Sequence, residues 1–106
     1  MEVAAYLDGK AMFLHHKEKK LLIELLNGGT ATRETAMREF NIQNLPAAVK
    51  RMRDNGFPIS TERFMSAFNR DERYVIYGIS ATAHKQLRYL GRIIYNNTLK
   101  AWLPTF

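Results

Sequence analysis

Between Thr30 and Glu62 the chain reads TATRETAMREFNIQNLPAAVKRMRDNGFPISTE, and this stretch limits the fold more than any other. Its spacing predicts a short helix, a tight turn, a second helix and then a strand. Thr32 can cap the first of these helices through its hydroxyl. Ala36, Met37 and Phe40 give that helix a small apolar face, and Glu34 and Arg38 stand one turn apart as an ion pair. Asn41 falls where the turn needs a positive φ, which Asn tolerates better than other residues with a Cβ. Ile42 should then plug the core between the helices. Asn44 can cap the next helix, Pro46 sits in its first turn where a missing N–H costs nothing, and Asn55-Gly56 ends it.

On that second helix of the pair, periodicity gathers Leu45, Ala48, Val49 and Met52 on one face and turns Gln43, Ala47, Lys50 and Arg51 the other way. Upstream, His15 to Leu26 predicts a helix with Leu21, Leu22, Leu25 and Leu26 on one stripe, stopped by Asn27-Gly28-Gly29. Downstream, Phe57 to Glu62 and Tyr74 to Ile79 alternate as strands, with Asn69-Arg70-Asp71 as the turn of a hairpin, or wing. Phe64, Met65 and Phe68 are more apolar than a solvated wing tip requires.

Residues 80–106 are expected to form one amphipathic helix from a Ser80 or Thr82 cap to about Asn96, followed by an aromatic tail. Ala83, Leu87, Leu90 and Ile94 share one side, with Lys85, Arg88 and Arg92 almost opposite. That apolar side can pack on the chain's first helix or meet a second copy. The continuation through Tyr95, Leu99, Trp102, Leu103 and Phe106 favours a homodimer built on Leu87, Leu90, Ile94, Leu99 and Trp102. Residues 1–14 are expected to form a small hairpin, from Asp8-Gly9 between short apolar runs, a loose N-terminal arm, or a short helix that pairs with the tail. The central unit therefore runs from 15 to 79.

With 106 residues and 46% hydrophobic content the chain can build one modest core. The absence of Cys removes disulfides, thiolate nucleophiles and sulfur-dependent zinc sites. The N-terminus lacks the pattern of a signal peptide, and no apolar run approaches bilayer thickness, so a cytoplasmic protein without membrane contact is expected. His15 and His16 are adjacent and His84 is distant, so no metal set assembles; they read as surface residues. Carboxylates are scattered, Gly28-Gly29 has no downstream Lys of a phosphate loop, and no Ser, His and acid group together. An enzyme is not expected, nor a cofactor.

The net charge of +6 draws the molecule toward polyanions. Most of the surplus lies in residues 80–106, where Lys85, Arg88, Arg92 and Lys100 face no acid.

The run from Leu21 to Thr61, followed by Tyr74-Val75-Ile76-Tyr77, resembles a family of small winged helix-turn-helix proteins common in phages, prophages and bacteria. The resemblance covers roughly residues 17 to 79 and rests on three motifs. Thr32 to Ala36 match a T-x-x-E-A pattern with Thr35 where the acid often falls. Phe40-Asn41-Ile42 match an F-G-I-like turn, and Leu45 to Gly56 match L-x-x-x-[IV]-x-x-[LM]-[RK]-x-x-G before a Pro-Ile strand start. It implies a mainly α fold with a small β-hairpin, and double-stranded DNA as partner. Lys50 and Arg51 can donate to guanine or phosphate, and Gln43 or Asn44 to adenine, with Ala47 small enough for close approach. Arg33 and Arg38 would hold the backbone, and Arg70 or Arg73 a flanking groove. Asp54 fits poorly, since an outward carboxylate repels phosphate. The rival partner is a host protein, met through Phe64, Met65, Phe68 and the aromatic tail.

Overall fold

The computed structural model describes residues 14–65 and 73–105. Four helices and two hairpins follow in the order α1 (His16–Leu26), α2 (Arg33–Phe40), α3 (Leu45–Asp54), β1 (Ser60–Met65), β2 (Arg73–Gly78), α4 (Ala81–Tyr89), β3 (Ile93–Asn96) and β4 (Ala101–Pro104). The expectations for residues 1–13, for Phe68, for Arg70 with its turn, and for Phe106 lie outside the described residues.

Each helix starts and stops for local reasons. The Thr32 hydroxyl accepts the Thr35 N–H at 3.2 Å while the Thr35 hydroxyl accepts the Thr32 N–H at 2.9 Å, a reciprocal cap. Asn44 Oδ1 accepts from Ala47 N–H at 3.2 Å, and Ser80 Oγ from Ala83 N–H at 3.1 Å. All four helices close alike, with one residue turned into the left-handed region: Gly28, Asn41, Gly56 and Gly91. In each, the following N–H reaches back to a carbonyl of the last helical turns, five residues earlier for Gly29 to Glu24, Phe57 to Met52 and Arg92 to Leu87, and six for Ile42 to Ala36 across the Asn41 turn.

The core lies where α1, α2 and α3 cross. Leu21, Leu22, Leu25 and Leu26 of α1 meet Ala36, Ile42, Leu45, Ala48, Val49 and Met52, all buried. Burying a Leu or Met side chain fully contributes about 1.5–3 kcal/mol, so this cluster outweighs the weak intrinsic stability of helices this short. Met37, expected on the apolar face of α2, is 46% exposed instead; α2 buries Ala36 and half-buries Phe40. The strand after α3 begins at Ser60 rather than Phe57, because Phe57 and Ile59 are drawn into the core.

β1 and β2 pair antiparallel from Ser60 opposite Gly78 to Met65 opposite Arg73. Tyr77 also exchanges both backbone hydrogen bonds with Ala31, at 2.9 and 2.8 Å, which ties the wing to the segment between α1 and α2.

The C-terminal segment is not one helix. α4 ends at Tyr89, since Gly91 adopts φ 70°, a conformation strained for any residue with a Cβ. β3 and β4 then form a hairpin pairing Ile93 with Pro104 through Asn96 with Ala101. Asn96 Oδ1 accepts from the Thr98 and Leu99 N–H groups at 2.9 Å each and shapes its turn.

This hairpin docks on the C-terminal end of α1. Asn27 uses both ends of its amide there, accepting from Trp102 N–H at 2.8 Å and donating to the Trp102 carbonyl at 3.0 Å. His84 lies 3.0 Å from the Leu26 carbonyl, which can only accept, so Nε2 carries the proton; the ring also meets Trp102 edge-on at 5.0 Å. His84 is half-buried packing rather than the surface residue expected.

The five residues expected at a dimer seam divide accordingly. Leu87 is fully buried in the chain's own core and Trp102 packs against that core, while Leu90, Ile94 and Leu99 remain exposed. Among the described residues no helix is long and apolar enough to cross a membrane.

Candidate nucleic-acid interface

α3 lies against the core along Leu45, Ala48, Val49 and Met52 and shows water the opposite side. Gln43, Pro46, Lys50 and Asp54 are exposed there, with Ala47 half-buried between them. The C-terminal hairpin covers none of it, being seated on the end of α1. The cation of this face is counterbalanced: Lys50 Nζ lies 3.3 Å from Asp54 Oδ2, one turn away on the same surface. The outward face of α3 is therefore close to neutral.

Arg51 does not belong to that face. On a 3.6-residue helix it falls at the boundary between the buried and outward sides, and its guanidinium turns toward α1. Nε and Nη2 both converge on Glu18 Oε2, at 2.8 and 2.7 Å, with Nε also 3.2 Å from Oε1. Glu18 is 1% exposed and its Oε1 also accepts the His15 N–H at 3.0 Å. Arg51 is the counter-ion of a buried carboxylate, so its guanidinium is turned from the outward face on which it was expected to meet guanine or phosphate.

The opposite flank faces the wing. Arg53 Nε and Nη2 donate to the Ile59 carbonyl at 3.1 and 2.7 Å, and Nη2 to the Thr61 hydroxyl at 2.9 Å. Arg53 thus holds the start of β1 against the end of α3. α3 is fixed from both sides by arginines, one per flank.

The remaining candidates separate by what already engages them. Asn44 has its carbonyl oxygen in the cap, which leaves its amide N–H groups as donors and spoils the two-point adenine geometry that needs both atoms. Gln43 keeps a free outward position at the head of α3. On α2, Arg38 approaches Glu34 at 3.8 Å and Glu39 at 3.9 Å, so two acids offset it. Arg33, in the first turn of α2, is exposed and forms no ion pair among the described residues. Arg73 is the first residue of β2. Among the described residues no three His, Asp or Glu side chains assemble a metal-binding group.

Glu18, the one buried acid among the described residues, is a site residue that the sequence reading above does not name. Its spacing carries the signal: Glu18 stands three, four and seven residues before Leu21, Leu22 and Leu25, which places it on the apolar stripe of α1 itself.

A family model described as a winged helix-turn-helix domain matches residues 17–80, more than half of the chain, and the protein belongs to this family. No curated protein and no solved structure matches the chain.

Proposed function

We propose that this winged helix-turn-helix protein binds double-stranded DNA sequence-specifically, laying the outward face of α3 in the major groove as a small transcriptional regulator of phage or prophage type. Family membership carries DNA binding as a class. The observation that supports this particular face is its freedom: Gln43, Lys50 and Asp54 are exposed and no other described element lies over them. A helix about 10–12 Å across with its side chains fits a major groove about 12 Å wide.

In this reading Gln43 and Lys50 meet base edges and Ala47 admits a base close to the helix axis. Lys50 is available because its partner is a surface carboxylate, whose hold is worth about 0–1 kcal/mol and yields readily to a guanine or a phosphate. Arg33 contacts the backbone. The protein contributes occupancy of a site, with no chemistry performed on the DNA, and acts in the cytoplasm that holds the DNA.

A homodimer remains the proposed assembly, now through Leu90, Ile94 and Leu99, three large apolar side chains that are 66%, 58% and 64% exposed. Two copies would present two α3 helices to half-sites about one helical turn apart.

Selection of binding sites from random duplexes, followed by the mass of the complex, tests this. The expected result is a recovered preference, an affinity falling steeply with salt, and two chains per site. No measurable duplex binding at low salt would overturn the proposal.

A further inference from the structure

A nearly neutral recognition face leaves open where phosphate affinity comes from, and the flank of α3 that faces α1 offers a place. A groove of about 330 Å³ opens there between the first turn of α1 and the turn leading into α3. Ile42 and Glu18 form its floor, both buried, and Glu18 is already bound by Arg51 and by the His15 N–H. Its walls come from three places in the sequence: His15 and Lys17 at the start of α1, Gln43 and Asn44 before α3, and Arg51 two turns further on.

The donors in this groove are held in position with capacity to spare. Lys17 Nζ donates to the Asn41 carbonyl at 3.0 Å, which anchors the ammonium over the turn and leaves two of its three N–H bonds for another acceptor. Arg51 commits Nε and Nη2 to Glu18, and its Nη1 has no partner among the described residues. The side chain of Asn44 is left with its amide N–H groups, because its oxygen caps α3. Two full positive charges face one carboxylate that is sealed beneath them. The groove therefore presents donors and a net positive charge, the requirements of a phosphate.

Its place relative to α3 supplies the ligand. When a helix lies in a major groove, the two sugar–phosphate strands pass along its two sides. The wing, tied to α3 through Arg53, stands on one side. The Lys17 groove stands on the other.

We propose that this groove seats a backbone phosphate of the bound duplex, held by Lys17 and by Arg51 Nη1 with the amide of Asn44, and that it supplies affinity without reading sequence. The proposal rests on the DNA-binding function proposed above. Arg51 then serves two anions at once, the buried Glu18 on one edge and the phosphate on the other.

The test compares wild type, Lys17→Ala, Lys17→Arg and Lys100→Ala on a selected duplex and on a random duplex of the same length, over a range of salt. Lys100 is an exposed cation at the tip of the C-terminal hairpin and serves as the control for loss of charge alone. Lys17→Ala should weaken both duplexes by the same factor, about three- to tenfold at low salt, and lower the slope of log affinity against log salt by about one. Lys17→Arg should restore most of the loss, and Lys100→Ala should leave the slope unchanged. Thermal melts establish that each variant is folded. An unchanged slope in Lys17→Ala, a change in the selected-to-random ratio, or an equal effect from Lys100→Ala would overturn the phosphate seat while the DNA-binding reading stood. Failure of the wild type to bind any duplex would remove both.

Discussion

Two cation–carboxylate pairs on α3 do opposite things. On its α1 flank, Arg51 grips a carboxylate that is 1% exposed, with an Nε–H hydrogen bond at 2.8 Å and an Nη2 to Oε2 ion-pair contact at 2.7 Å. On its outward face, Lys50 meets Asp54 at 3.3 Å, with the Lys side chain 78% and the Asp 39% exposed. The first pair cannot be parted without leaving a charge buried and unpaired, a loss of about 3–5 kcal/mol. The second exchanges with water and ions for about 0–1 kcal/mol. Charge on a recognition helix is therefore not equivalent to charge available for recognition, and burial of the partner decides between the two.

The largest expected effect breaks the buried pair. Arg51→Ala should lower unfolding stability by about 3 kcal/mol in urea titration, at the lower end of the range because the outer edge of Arg51 is in water. Glu18→Leu combined with Arg51→Met should recover most of that loss, as both charges go and their volume is filled. A loss below half a kcal/mol for Arg51→Ala would make this pair no different from its outward counterpart.

A second comparison sharpens the same point within the C-terminal segment. Leu87→Ala should cost about 2–4 kcal/mol, since the side chain is 2% exposed in the core. Leu90→Ala, three residues on and 66% exposed, should stay within about 0.5 kcal/mol for the monomer. Equal losses measured in dilute protein would indicate that Leu90 is covered in solution. The smallest effect concerns Asp54→Asn, which removes an outward carboxylate and releases Lys50. Duplex affinity at low salt should rise by about 0.5 kcal/mol with stability unchanged; a fall in affinity would show Asp54 to be a contact rather than a hindrance.

What could be read in the sequence follows from how far each signal reaches along the chain. The caps at Thr32, Asn44 and Ser80, the left-handed Asn41 and the buried stripe of α3 are set by partners within five residues, and each appears as expected. The Glu18 contact of Arg51 is not legible in the sequence, because the partner lies 33 residues away on another helix and a helical wheel places Arg51 at a boundary that only tertiary packing resolves. The C-terminal segment departs from one helix for another reason. Ala83, Leu87, Leu90 and Ile94 keep helical spacing across Gly91, yet Gly91, the β-branched Ile93-Ile94 and Asn96-Asn97 mark a stop, a strand and a turn. The Gly91 stop outweighs the helical spacing on either side of it.

The most direct test of the account measures the ratio of affinities for a selected and a random duplex in three proteins: wild type, Lys50→Ala, and the Glu18→Leu, Arg51→Met double variant. Lys50→Ala should reduce that ratio by about tenfold, within the 1–3 kcal/mol carried by a base contact, and leave stability unaltered. The double variant should bind both duplexes more weakly while keeping the ratio of the wild type. A ratio that survives the loss of Lys50 and collapses with the loss of Arg51 would contradict the assignment of recognition to the outward face of α3.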